Sequence, residues 1–286
     1  MRRRIIWLII GAPLALIAVA AGAIAAVPTL RHVASGLWNV PDRLPALPDN
    51  SQVHYQQGAD DYARVVSAVL PSAITRVEAV HGRHFVRPVP VGVYATPGAF
   101  EAANGQGSSR PVGVTFAGRV NLSPVLYAGQ RRRIPAILTH ELSHAHLQGW
   151  IGGIAYIHLP NWFKEGLAVM VSGGGGAELV SEEEARAAIQ RGEQIVINDT
   201  ESLQNLVDIP FERKPANKAP WYPVVLAYRQ AGMFVSYLRE SDGAAFDHMM
   251  NAILERRAFA EAVAVGYHAD VHSLWQKFTP TSAERN

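Results

Sequence analysis

The sequence predicts an α+β fold with a small mixed sheet, a helical C-terminal part and an apolar helix before both. Short runs rich in β-branched residues lie between residues 89 and 122, where prolines and glycines bound them, which is typical of short strands. From residue 131 onward, apolar residues recur mostly at the three- and four-residue intervals of helices. A long apolar run at the start of the chain is the third observation.

Residues 1–27 predict a membrane anchor. Arginines at positions 2–4 precede an apolar run over residues 5–27, which is long enough to cross a hydrocarbon core of about 30 Å as a helix. The charge before the run predicts a cytoplasmic N-terminus and export of everything after it. A cleavable signal peptide, and hence secretion, is the alternative because residues 23–25 resemble a cleavage site. The run exceeds the roughly 7–15 residues of a signal-peptide core, so we expect an uncleaved, single-pass anchor.

Residues 28–50 predict a linker, and residues 51–286 predict a single domain. Prolines at positions 28, 41, 45 and 48 interrupt any helical period in the linker. Charged residues make up 17% of the chain and the net charge is +2, so we expect a globular domain and no nucleic-acid partner. The chain has no cysteine, which excludes disulfides and thiolate metal ligands.

The elements of this domain follow from periodicity and from signals at their ends. We expect one or two helices over residues 52–81 with a kink at Pro71, a strand over 89–95, a short helix over 97–103, strands over 112–116 and 119–122, and helices over 131–148, 161–171, 182–191, 222–240, 244–257 and 270–278. Thr96 predicts a cap for the short helix, and Ser181 predicts a capping box. Residues 173–176 predict a flexible glycine connector.

One predicted helix carries a motif with metal-binding chemistry. His140-Glu141-Leu142-Ser143-His144 matches the H-E-x-x-H pattern. Residues four apart lie on one helical face, so both imidazoles can reach a single ion. Glu141 lies about 100° around the helix from His140, where its carboxylate can act as general base and later as general acid. For this motif alone, a helix with two ordinary histidines is an equal alternative.

A catalytic zinc commonly has three protein ligands, so a third is expected. The extended metzincin pattern does not continue here, because Leu147 and Trp150 stand at its glycine and third-histidine positions. Glu165 lies in an apolar helix rich in small residues, where metal coordination would relieve the cost of a buried carboxylate. We therefore expect His140, His144 and Glu165 to bind one Zn²⁺ ion per chain. Zinc is inferred from the ligand types, and such sites bind several divalent metals.

The two metal-binding segments together carry a family resemblance. His140 to His144, followed by Trp162-Phe163-Lys164-Glu165-Gly166-Leu167-Ala168, resembles the gluzincin metallopeptidases of the peptidase MA type, especially their aminopeptidase-related branch. The resemblance covers about residues 112–278. It implies a zincin-like domain that hydrolyses a peptide or protein substrate. No G-x-M-E-N exopeptidase sequence precedes the zinc helix, which leaves endopeptidase specificity more open than aminopeptidase activity.

The resemblance also implies a tyrosine or histidine that stabilises an oxyanion. Tyr228 lies on the helix that matches the family's tyrosine-containing segment, and its phenol could donate to a tetrahedral intermediate. A core aromatic is an equally weighted alternative for Tyr228, and Tyr222 is the second candidate. We expect His146 and His158 outside the ligand set, and His81 has no partner at metal spacing.

The functional hypothesis is an exported, membrane-anchored zinc peptidase that hydrolyses peptide bonds through a metal-activated water. A catalytically inactive zincin-fold module, acting as a binding or scaffold protein at the membrane surface, is the alternative. The intact Glu141 argues against that alternative, because an inactive relative would be expected to lose its base first. A zinc hydrolase acting on another bond is a third hypothesis, since the ligands do not specify the leaving group.

Overall fold

Five short strands form one mixed sheet in the first half of the chain, and helices make up the second half. The computed structural model describes residues 22, 26–199, 209–216 and 218–279. These residues confirm the expected α+β class with a small mixed sheet. The predicted anchor over residues 5–27 lies almost entirely outside them. Among the described residues, no helix combines the length and apolar character needed to cross a membrane.

The expectation of a plain linker over residues 28–50 was wrong. Helix α1 covers Pro28–Trp38, a 3-10 turn follows at Pro41–Arg43, and strand β1 covers Ala46–Leu47. Pro28 is compatible with a helix because it occupies the first turn, where a missing N–H breaks no helical hydrogen bond. The helix packs on the domain at Gly36, where an added Cβ would lie 2.8 Å from the backbone of Gly105.

The sheet has the strand order β1-β2-β3-β5-β4. Its other strands are β2 over Asn50–Tyr55, β3 over Val91–Val93, β4 over Gly113–Phe116 and β5 over Arg119–Leu122. Strands β2, β3 and β5 are parallel, and β1 and β4 are antiparallel edge strands. The expectation of helix at residues 52–55 was therefore wrong. The hairpin β4–β5 was predicted correctly, and both of its turn residues have positive φ, as a type I′ turn requires.

Three further helices lie in the described part of this first half. Helix α2 covers Asp60–His81 as a single element that contains Pro71, and α3 covers Pro97–Ala103. The Thr96 hydroxyl accepts from the Ala99 N–H at 3.3 Å, which confirms the predicted cap. Helix α4 over Pro124–Gly129 was not expected; it is a short element that begins with proline.

Eight helices make up the described second half. They are α5 over Ile134–Ile151, α6 over Gly153–His158, α7 over Asn161–Ser172, α8 over Glu182–Gln190, α9 over Tyr222–Ser241, α10 over Gly243–Leu254, α11 over Phe259–Tyr267 and α12 over Val271–Phe278. Most were predicted within a few residues, but α6 and α11 were missed. Helix α5 continues past Gly149 to Ile151 and is capped by Gly152, whose φ of 81° suits glycine.

Helices α7 and α9 pack closely against each other, and this contact helps to position the side chains of α7. A Cβ at Gly166 would lie 2.6 Å from the carbonyl oxygen of Ala231, and a Cβ at Gly232 would lie 2.4 Å from Val169. Each helix therefore presents a glycine to the other, and the two backbones approach closely. On its other side, α7 contacts α5, so the two predicted metal-binding helices are neighbours.

Candidate metal centre

Three side chains converge between α5 and α7. The Nε2 atoms of His140 and His144 lie 3.1 Å apart. Oε2 of Glu165 lies 3.2 Å from the first nitrogen and 3.5 Å from the second. The potential ligand atoms of all three residues lie within 4.8 Å of one another. The structure thus brings together the three predicted ligands in a group that could hold a metal ion, although it does not identify the metal.

The local sequence explains this convergence. The two histidines are four residues apart on α5, so their imidazoles leave the same helical face. Glu165 immediately precedes Gly166, a residue at which α7 approaches the backbone of α9 closely. The close contact holds α7 in a position from which its carboxylate reaches the two imidazoles.

One oxygen of the Glu165 carboxylate is placed as a ligand atom. With neutral imidazoles, this buried Oε2 has no hydrogen-bond partner in the described part of the chain. Burial alone would raise the pKa of Glu165, but the charge of protonated His144 and the ring N–H groups that both histidines offer when protonated outweigh burial and lower that pKa. An unsatisfied buried acceptor is costly, and a cation between the three groups would remove that cost.

The same contacts act on His140 in the opposite direction. Burial lowers the pKa of His140, but the hydrogen bond and charge of Glu165 outweigh burial and raise it. In the absence of a cation, a proton shared among these groups would supply the positive charge. Protons and metal ions therefore compete for this centre.

Both histidines have hydrogen-bond partners at their other ring nitrogen. Nδ1 of His140 lies 2.9 Å from the carbonyl oxygen of Gly175, and Nδ1 of His144 lies 3.0 Å from the hydroxyl of Tyr156. A carbonyl oxygen only accepts, so His140 must carry its hydrogen on Nδ1, which leaves Nε2 free as a metal ligand in the neutral imidazole. The predicted flexible connector over residues 173–176 thus includes a group that orients a ligand.

Glu141 lies beside the cluster and contacts strand β4. The Thr115 hydroxyl lies 2.8 Å from Oε2 of Glu141 and 2.7 Å from its main-chain oxygen, and its single hydrogen is shared between these two acceptors. A Cβ at Gly113 would lie 3.0 Å from the Glu141 side chain. The strand therefore holds the carboxylate in one place and leaves no room for a larger residue at position 113. The sequence suggested Glu141 but gave no signal for Thr115.

Two tyrosines lie beside the cluster, one near each histidine. The Tyr228 ring stacks near His140, with ring centres 6.2 Å apart, which brings this predicted residue to the site. Tyr156 reaches His144 from α6, an element that the sequence analysis missed. Burial, followed by the charge of Glu165, raises the pKa of both phenols well above the usual value, so both hydroxyls keep their hydrogen at neutral pH. Tyr222 is elsewhere, since its hydroxyl donates to Glu184.

A second histidine pair lies buried between α2 and α5. The Nδ1 atoms of His81 and His146 are 2.9 Å apart, and Nε2 of His81 lies 3.0 Å from the hydroxyl of Ser143. Nε2 of His146 lies 2.9 Å from the Arg83 carbonyl oxygen. Burial lowers the pKa of both histidines, which favours their neutral forms. As expected, His146 is outside the ligand set, as is His158, which is exposed at the end of α6.

Comparison of the chain with protein-family models, with curated proteins and with solved structures found no match. The functional assignment therefore rests on the geometry of these residues.

Proposed function

We propose that this chain is a zinc-dependent peptidase with a zincin-like domain, exported and anchored to the membrane by its N-terminal segment. The observation that carries the proposal is the convergence of two imidazoles and the buried Oε2 of Glu165, which has no hydrogen-bond partner among the described residues, next to the helical position of a second carboxylate, Glu141. Histidine and glutamate together suit zinc, and three protein ligands leave a position for water or substrate.

The donor set fits such an ion on chemical grounds. His140 and His144 would bind through Nε2 and Glu165 through Oε2, while Gly175 and Tyr156 hold the opposite ring nitrogens. When bound, the ion would polarise a substrate carbonyl and lower the pKa of a water molecule.

The remaining roles belong to the protein's own groups. Glu141 would take a proton from the attacking water and later give one to the leaving amine, with Thr115 holding the carboxylate in position. Tyr228 would donate its phenolic hydrogen to the negative charge that develops on the substrate oxygen. The hydroxyl is protonated at neutral pH, as this donation requires.

The position of β4 favours a peptide over other substrates. This strand lies at the edge of the sheet, and its outer side pairs with no other strand that the structure describes. An extended peptide could add to that edge through main-chain hydrogen bonds. It would then run past Thr115 and the neighbouring Glu141.

The direct test is metal content together with peptide cleavage, measured on the full chain purified in detergent. We expect one zinc ion per chain and cleavage of casein or of a peptide library. Glu141→Gln should abolish cleavage and keep the metal, because it removes the base and leaves the ligands intact. Glu183→Gln is the matched control, since Glu183 is exposed on α8 and should change neither result.

Each other outcome has a defined meaning. Zinc without cleavage in the unmodified protein would favour the inactive binding or scaffold module. Cleavage of esters but not of peptides would favour a hydrolase for another bond. A folded protein that binds no metal would contradict the proposal.

A further inference from the structure

A cavity of about 400 Å³ lies beside the C-terminal half of α5, away from the metal ligands. We name it the Arg87 pocket. Its walls come from the segment before β3, the β4–β5 turn and α5, and include Phe85, Arg87, Val89, Ala117, Ala145 and Gly149. None of the three predicted metal ligands lines it. The volume is within the usual range of small-molecule sites, about 300–1,000 Å³.

Most of the pocket wall is apolar, and its polar groups are largely engaged within the protein. The Gln148 carboxamide oxygen accepts from the Gly118 N–H at 2.8 Å. Both ring nitrogens of His146 have partners, as described above. A ligand would therefore find few free hydrogen-bonding side chains on these walls.

Arg87 is the exception. Its side chain is exposed, and it forms no ion pair or hydrogen bond with any residue that the structure describes. Its guanidinium lies next to the β4–β5 turn, 3.7 Å from where a Cβ of Gly118 would stand. No aspartate or glutamate lines the pocket. An apolar cavity with one unpaired positive charge at its edge suits a ligand that has an apolar stem and a negative group.

We propose that the Arg87 pocket is a second ligand site that binds a carboxylate carried on an apolar stem. The guanidinium of Arg87 pairs with the carboxylate, and the stem occupies the space between Phe85, Val89 and Ala145. Such a group is supplied either by the C-terminal residue of a peptide or by a free aliphatic acid. The site does not depend on the proposed hydrolase activity, because binding is measurable without turnover.

Gly149 offers a way to fill the pocket without disturbing the fold. It lies within α5, and a Cβ added there would meet no atom within 4 Å. Leucine is also a better helix former than glycine, so Gly149→Leu should fold at least as well as the parent protein. Its side chain would occupy the space that Gly149 borders.

The test is isothermal titration calorimetry on the full chain with its metal, in detergent, with a detergent-only titration subtracted. The probes are 4-methylpentanoate, its neutral analogue 4-methylpentanamide, and N-acetyl-alanyl-leucine as acid and as amide. The peptide probes are measured with Glu141→Gln protein so that they stay intact. We expect each acid to bind about fivefold more tightly than its amide, the scale of one ion pair at a partly exposed site.

The variants decide the inference. Arg87→Gln should remove the preference for acids, and Gly149→Leu should remove binding of acids and amides alike. Arg132→Gln, which changes an exposed arginine far from the pocket lining, should leave both unchanged. Tighter binding of the peptide acid than of 4-methylpentanoate would identify a peptide as the source of the carboxylate, and the reverse order would identify a free acid. If Arg87→Gln still preferred acids over amides, the acids would be bound elsewhere, for example at the metal, and the inference would be overturned. The absence of binding by any probe would overturn it as well.

Discussion

Replacing Gly166 by alanine tests whether the close contact of α7 with α9 positions Glu165, the proposed third metal ligand. The added Cβ would stand 2.6 Å from the carbonyl oxygen of Ala231 and 2.8 Å from Val235. Ordinary contacts of a Cβ begin near 3.4 Å, so the two helices would have to separate by about 0.8 Å. The carbonyl cannot turn away, because it belongs to the hydrogen-bonded backbone of α9.

The cost follows from two opposing effects. Overpacking of a core contact typically costs about 1–3 kcal/mol, and the rigid backbone partner places this case in the upper part of that range. Alanine regains about 1 kcal/mol of helix propensity relative to glycine. The net loss of stability should be about 1–2 kcal/mol, which corresponds to a fall in Tm of about 2–8 °C for a chain of this size.

The effect on the metal should be larger than the effect on the fold. Metal–ligand distances tolerate about 0.2 Å, and the expected movement beside Glu165 is several times greater. We expect zinc affinity to fall at least about tenfold, as when the support of a ligand is lost. Competitive zinc titration and thermal unfolding measure the two effects, with Gly149→Ala on α5 as the control that meets no atom. Unchanged zinc affinity and Tm in Gly166→Ala would refute the reasoning.

Four further predictions concern the centre itself. Thr115→Val should lower kcat about 10–100-fold at unchanged zinc content, because Glu141 loses a charge-assisted hydrogen bond. Steady-state kinetics and metal analysis measure the two quantities, and a loss of zinc in proportion to the loss of activity would contradict the prediction. Tyr228→Phe should lower kcat about 10²–10³-fold and leave zinc affinity unchanged. Tyr156→Phe should instead lower zinc affinity about tenfold or more, and the same effect from both variants would contradict this division of roles. Zinc affinity should fall by up to about tenfold per pH unit below the raised pKa of His140, because the metal must then displace a proton. Zinc titrations from about pH 8 to 5 measure this fall. In Glu165→Gln the fall should begin at a lower pH, because the carboxylate that raises the pKa of His140 is gone.

The ligand set was predictable because its signals are local. Spacing along one helix determines which face two imidazoles share, and a carboxylate in an apolar helix needs a partner wherever that helix lies. The sequence therefore identified His140, His144 and Glu165 before any contact was known. Thr115, Tyr156 and Gly175 depend on which loops and strands reach α5, and no spacing rule contains that information.

The errors in the fold have related causes. Val53 is the one buried residue among positions 50–55, so the segment shows no alternating pattern, and its strand character comes from pairing with β3. The proline at the start of α1 was interpreted as an interruption of helix, and the segment of α4, which also begins with proline, was assigned no structure. Proline is nevertheless tolerated in a first helical turn. Gly149 suggested a helix end, yet α5 runs past it because propensity is weak compared with tertiary packing.

The buried pair of His81 and His146 allows only one placement of its hydrogens. The Arg83 carbonyl can only accept, so neutral His146 carries its hydrogen on Nε2 and accepts at Nδ1 from His81, which in turn accepts at Nε2 from the Ser143 hydroxyl. Hydrogen donation therefore runs in one direction, from Ser143 on α5 to His81 on α2 and back to His146 on α5. These bonds fix two positions on α5, Ser143 and His146, at once, so they resist rotation of the helix about its own axis. The direction in which α5 presents His140 and His144 is therefore held by hydrogen bonds outside the proposed ligand set, which need no metal ion.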